Sequence, residues 1–196
     1  AVGLLPSYVT GFPGDLWVNS PPELLARLIR NLEVGDNPAM QALLLTLLLA
    51  ETDPPKNVEP GISILLARVD KLIEIGAIEP ALALVERAGS QDPALFVRTF
   101  DLALLADKTD PACRDVLTKP TLEPQYTVRI FCHVRNGDWA LASFILENAI
   151  ALGEIEPRTA LMLDVFLNPD LAESTVPPAP RTAPSPREFR RFEALG

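Results

Sequence analysis

One histidine, two cysteines and no long apolar run restrict the chemistry of this 196-residue chain before any pattern is sought. His133 with Cys113 and Cys132 supplies too few ligands, at the wrong spacing, for a structural zinc site. Cys132 and His133 are consecutive, and consecutive side chains on a helix diverge by about 100°, so they do not make a nucleophile and its base. No acidic stretch alternates oxygen ligands around a central glycine as a calcium loop does. A Gly-rich phosphate loop and a Gly-x-Ser-x-Gly elbow are also missing. Carboxylate pairs such as Asp101 with Asp107, or Glu147 with Glu154, read as solvated faces rather than an acid/base couple. The sequence thus predicts no catalytic residue, no cofactor and no metal.

Basic residues are scarce as well, with 17 Lys and Arg against 26 Asp and Glu and a formal net charge of −9. Nucleic-acid and anionic-membrane surfaces need clustered cations to displace counterions or meet headgroups, so both are disfavoured. The most apolar stretch, Met40 to Ala50, is about half of what a bilayer-spanning helix needs and reads as a buried helix. No segment alternates apolar and polar residues long enough for a strand. The predicted class is all-α.

Proline is abundant, at 20 residues, and its positions suit helix starts. In Asn37-Pro38 the Asn side chain can accept from the free amides of the first turn, while Pro at the first helical position has no amide to lose. Asp92-Pro93 and Asp110-Pro111 repeat the device, with related Ser20-Pro21, Glu79-Pro80, Glu123-Pro124 and Glu156-Pro157. Between these marks run apolar faces of period 3.6. Leu24, Leu25, Leu28, Ile29 and Leu32 form one, ended by Gly35. Ile62, Leu65, Leu66, Val69, Leu72 and Ile73 form another, ended by Gly76.

Four regions follow. Residues 1–20, broken by Gly3, Pro6, Gly11, Pro13 and Gly14, read as an extended arm rather than a helix, with Leu16 and Trp17 either pinning it to the body or anchoring a partner. Residues 21–167 are the helical body, and 168–187 a Pro-rich tether of polyproline II character. Residues 188–196 are a short docking segment in which Phe189, Phe192 and Leu195 stand three apart around Arg190 and Arg191. From Arg181 onward four Arg face two Glu, so a net-basic tail follows an acidic body and can dock on it or on a partner.

The clearest pattern is a repeat. Gly137, Ala142 and Ala149 stand five and seven apart, and Gly76, Ala81 and Ala88 repeat those spacings. A Gly that ends one helix at φ > 0, then a helix with small residues at its closest packing points, is what antiparallel helix pairs need. In Trp139 to Leu152 only Ser143 and Glu147, continued by Glu154, form a polar stripe, so this helix is expected to be covered on most sides. Trp139 itself is expected to be a packing residue. Cys113 and Cys132 fall on neighbouring helices of such an array, and are either one disulfide or two buried thiols.

With Gly137-Asp138-Trp139 entering a helix and Ala142 and Ala149 following, residues 137–149 resemble the second helix of a tetratricopeptide repeat. Lys119 stands where the middle unit would carry its second small residue, and the period is nearer 30 than that family's 34. The resemblance implies a short αα-solenoid of stacked antiparallel helix pairs. The chain is also similar to exported bacterial envelope proteins that share Leu-Trp and Ser-Pro-Pro near the start, Gly-Asp-Trp in the middle and a Pro/Ala-rich tail. That second likeness implies a periplasmic protein whose signal peptide has been removed, and a start at Ala1-Val2-Gly3 without Met suits it.

The function expected is a non-enzymatic protein–protein interaction module, an accessory or scaffold subunit of an envelope assembly such as a motor, secretion or cell-wall complex. Asp70, Glu74 and Asp101 are its expected partner surface. Two alternatives stay open: a structural protein that self-associates through the C-terminal tail, and a helical helper domain of a longer cell-wall enzyme.

Overall fold

The punctuation read from the sequence governs where the helices start and stop. The computed structural model of the chain describes residues 2–56, 62–89, 92–122 and 125–172 and, in the tail, 178, 179, 182 and 185–188. Among these residues there are eleven helices and no strand, so the protein is all-α. By its internal contacts the chain divides into two compact units, Ala1–Leu102 and Ala103–Gly196.

The first unit contains α1 (Ser7–Thr10), α2 (Pro22–Arg30), α3 (Pro38–Leu49), α4 (Ile62–Glu74) and α5 (Ile78–Ala88). Helix α4 is its centre, with α2, α3 and α5 all packed on it. Asn37 caps α3 as its type suggests, its Oδ1 accepting from the amides of Ala39 at 3.0 Å and Met40 at 3.3 Å. Asp92 does the same for α6 (Pro93–Leu105), accepting from Leu95 N at 3.1 Å. Glu79-Pro80 works differently from the expectation: α5 begins one residue earlier, at Ile78, so both residues lie inside its first turn, where neither the Pro nor the carboxylate is out of place. Asp110-Pro111 lies likewise inside the first turn of α7 (Thr109–Thr118). Helix α2 stops at Arg30, and Gly35 (φ 54°) sits in the loop beyond it rather than at its end.

Two apolar faces are also less covered than expected. In α2 the residues Leu25, Ala26 and Ile29 are buried, while Leu24 and Leu28 are exposed. In α3 the buried set is Leu44, Leu48 and Leu49, and Met40 and Leu43 are half exposed. Both helices pack on α4, and the all-round apolar sequence of α3 does not make it an inner helix.

The N-terminal arm is not wholly extended, since α1 forms one helical turn in it. The amides of Leu4 and Leu5 both donate to Leu49 O, at 2.8 and 3.0 Å, and Glu51 N donates to Leu5 O at 2.8 Å. Further along, Asp53 N reaches Gly14 O at 2.6 Å and Lys56 N reaches Val18 O at 3.0 Å. Gly3 lies so close to residues 50 and 51 that a Cβ there would sit 2.3 Å from Glu51 Cα. Leu16 and Trp17 are partly buried, but the backbone does most of the fastening.

A buried guanidinium completes this clamp. Arg68 of α4 is 5% exposed. Its Nε donates to Leu48 O at 2.6 Å, Nη1 to Val2 O at 2.8 Å and Nη2 to Ala50 O at 3.0 Å. Two of these carbonyls close the C-terminal end of α3, where the helix dipole favours a cation. Burial pushes the Arg68 pKa down to about 10, which leaves it charged at neutral pH.

The second unit contains α7, α8 (Tyr126–Arg135), α9 (Trp139–Ala151), α10 (Pro157–Leu167) and α11 (Pro169–Ala172). Each packs on the next from α7 to α11. Helix α11 occupies the start of the segment read as an extended tether. The core joins Ile130 of α8, Ala142, Ile145, Leu146 and Ala149 of α9, and Ala160, Leu163 and Leu167 of α10. Cys113 of α7 and Cys132 of α8, both buried, are bonded sulphur to sulphur at 2.08 Å.

The repeat is carried by one turn used three times at a spacing near 30. At Gly76 (φ 74°) and Gly137 (φ 85°) the chain turns left-handed, and the next amide reaches back to the last turn of the preceding helix, from Ala77 N to Leu72 O at 2.8 Å and from Asp138 N to His133 O at 2.9 Å. Asp107 (φ 57°) takes the same position in the middle unit, with Lys108 N donating to Ala103 O at 2.8 Å. Five residues after each turn stands a buried alanine: Ala81, Ala112 and Ala142. The fold is therefore all-α and repeat-like, built from short helix pairs joined by this turn.

Candidate functional site

The carboxylates expected to form a partner surface face cations of their own chain. Asp70 Oδ1 accepts from Arg98 Nε at 3.0 Å, and Asp101 acts on the same guanidinium through space. The hydrogen bond to Asp70 raises the Arg98 pKa most; burial opposes it, and the fields of Asp70 and then Asp101 add to the rise. Glu74 Oε1 takes Lys71 Nζ at 2.7 Å, with the ammonium buried and the carboxylate 60% exposed. Asp70 and Asp101 are thus brought together around Arg98, and Glu74 is separately paired. Glu74 also lines an open cleft of about 730 Å³ between the α2–α3 loop and the end of α4, with Leu32, Leu44 and Ile75 on its apolar wall.

No group of three or more His, Cys, Asp or Glu able to hold a metal occurs among the described residues. Cys132 is engaged with Cys113. The neighbouring His133 turns its Nδ1 toward Asp138 Oδ2, at 3.6 Å. No helix among the described residues is long and apolar enough to cross a membrane.

The feature that departs most from an ordinary surface is the outer side of α9. Its inner side is sealed, with Ala142 and Ala149 at 0% exposure letting α8 and α10 approach closely. Leu141 and Phe144 of α9 and its C-cap Leu152 lie along one flank of the helix, beside the buried face, and are 44%, 62% and 67% exposed. Ile150 and Trp139, on the other edge of the buried face, are nearly half exposed. Contrary to expectation, then, α9 is covered on one side only, and Trp139 is not a buried residue. It rests its ring against Phe166 of α10, with centroids 6.2 Å apart.

The helix itself carries charge of a single sign. From Gly137 to Pro157 the chain carries Asp138, Glu147, Glu154 and Glu156 and neither Lys nor Arg. An apolar centre with a one-signed polar rim is the chemistry of a docking surface for an amphipathic partner of opposite charge.

The tail meets the same unit. Arg187 Nη1 donates to Gln125 Oε1 at 2.7 Å, and Arg158 Nη2 reaches Glu188 Oε1 at 3.3 Å. Glu188 is buried, and Arg158 also donates to Ala179 O. The expected docking residues Phe189, Arg190, Arg191, Phe192 and Leu195 lie outside the described residues.

The fold and this surface define an all-α, repeat-like protein that leaves large apolar residues of α9 open. No protein-family model, curated protein or solved structure matches the chain.

Sequence reasoning missed the α9 stripe because an apolar helix reads alike whether its second side is covered or waiting for a partner. It also missed Arg68, although a cation within Ile64-Leu-Leu-Ala-Arg-Val69 was a signal that something polar must meet it inside.

Proposed function

We propose that the protein is a non-enzymatic interaction module whose working surface is the outer stripe of α9. The observation that carries this reading is the exposure of Phe144 within α9 and of Leu152 at its C-cap, on a helix whose charged residues are all acidic and whose other side is well packed. Large apolar side chains left open in line are a cost that a binding partner removes. The finer reading is an accessory or scaffold subunit of a bacterial envelope assembly in the periplasm. The Cys113–Cys132 bridge supports an oxidising compartment, since such bonds persist there and are rare in the cytosol.

The test is affinity capture of the tagged chain from its own cells under oxidising lysis, beside the double variant Phe144→Ser/Leu152→Ser. The wild type is expected to recover an envelope component in fixed ratio and the variant to lose it. Equal recovery by both would reject the α9 surface. A cytosolic enzyme as the fixed-ratio partner would reject the envelope reading.

A further inference from the structure

We propose that the cleft between the α2–α3 loop and the end of α4 is a second binding site, independent of α9, whose occupant is a peptide segment carrying Lys or Arg beside apolar side chains. The cleft is formed wholly by the first unit and holds about 730 Å³, within the size range of natural ligand sites. Leu32, Leu45 and Ile75 belong to its apolar wall, and Ile75 is 42% exposed.

The polar side chains of the lining accept hydrogen bonds. Glu33 and Glu74 are its two charged residues, and both are exposed. The Glu33 carboxylate has no cation partner among the described residues. Glu74 gives Oε1 to Lys71 Nζ at 2.7 Å and keeps Oε2 open. Gln41 Nε2 donates to Gly35 O at 2.8 Å, which leaves its Oε1 as an acceptor.

The helix ends that meet the cleft select the same sign. The start of α3 would ordinarily suit an anion, but its donors are spent. Pro38 has no amide, those of Ala39 and Met40 donate to Asn37 Oδ1, and that of Gln41 donates to Asn37 O at 3.0 Å. Two helix C-termini also arrive here, since Leu32 follows the last turn of α2 and Glu74 closes α4. Both favour a cation. The cations of these two helices, Arg27 and Arg30 of α2 and Arg68 and Lys71 of α4, do not line the cleft, and the last two are already engaged by carbonyl groups and by Glu74.

A ligand must therefore bring positively charged donors on an apolar body. Lys and Arg do so, because their methylene stems cover apolar surface while the head reaches a carboxylate. The cleft is open rather than enclosed, so a small free amine would leave much of the wall in water. A chain segment laid across it covers Leu32 and Ile75 and supplies the cation at once.

Phage display of random dodecapeptides on the full-length oxidised Phe144→Ser/Leu152→Ser protein tests this, since that background removes the α9 surface and makes the outcome independent of it. The enriched peptides are then synthesised and their binding is read by fluorescence polarisation. They are expected to pair Lys or Arg with Leu, Ile or Phe. Adding Glu33→Arg should weaken them about tenfold, as repulsion replaces an attractive contact. Adding Ala42→Trp, at an exposed position of the lining, should fill the cleft and abolish binding. Replacing the peptide's own Lys or Arg by Glu should reverse the preference between the Glu33→Arg protein and its parent, which a purely structural effect of the substitution would not do. No enrichment, enriched peptides without a cation, or binding that Glu33→Arg and Ala42→Trp both leave unchanged would overturn the inference. Spermidine binding as tightly as the peptides would overturn the choice of a peptide as occupant.

Discussion

The two units close by different means. The first is sewn by polar contacts: an arm whose amides and carbonyls pair with residues 49–56, and a buried Arg68 that holds three carbonyls at once. The second is closed by a covalent link between α7 and α8 and by small residues that let α9 sit against α8 and α10. Accordingly the first unit should fail when a polar group is removed, and the second should tolerate surface changes but depend on oxidation. The difference also bears on the proposed surface, since α9 leaves large apolar residues open while its inner side is fully packed.

The largest effect should come from Arg68→Met. Three carbonyls would lose their donor in the interior, and we expect a loss of about 4 kcal/mol, the scale of breaking a buried charged contact. Guanidinium denaturation followed by a probe in residues 1–56 measures it. A loss below about 1 kcal/mol would mean that the clamp contributes little. Gly3→Ala attacks the same clamp from the other side, because its Cβ would meet the backbone of residues 50 and 51. It should expose the arm to hydrogen exchange ahead of the helices.

Breaking the other unit's closure comes next. Cys113→Ala/Cys132→Ala should cost about 3 kcal/mol, the loop-closure entropy of a 19-residue separation. The melting of the second unit should show it, with the arm's exchange unchanged. Trp139→Ala should cost only about 1 to 2 kcal/mol, since the ring is 47% exposed and loses chiefly its contact with Phe166. A fully buried Trp would cost about 3 to 5 kcal/mol, so the measured value reports how far α9 is covered in solution.

Much of this architecture was legible beforehand. Asn37-Pro38 announced its cap, and Gly76 and Gly137 announced turns that require positive φ. The middle turn was harder to see because Asp107 occupies it. Asp visits the left-handed region more readily than most residues, but its presence in a sequence does not demand that conformation as glycine suggests it. The rest depended on neighbours distant in sequence. Whether α3 and α9 were inner helices, and whether Asp70, Glu74 and Asp101 faced open solvent or their own cations, follows from packing that local periodicity does not encode.

The smallest stability effect should belong to the most informative change. Phe144→Ser/Leu152→Ser alters exposed side chains and should shift the folding free energy by no more than about 0.5 kcal/mol. Oxidising capture of this variant beside the wild type, with the stability of both measured on the same samples, tests the central claim most directly. An equally stable variant that no longer recovers the partner is the predicted result. A variant that recovers the partner as well as the wild type, or one that loses it only because it has unfolded, would contradict the account.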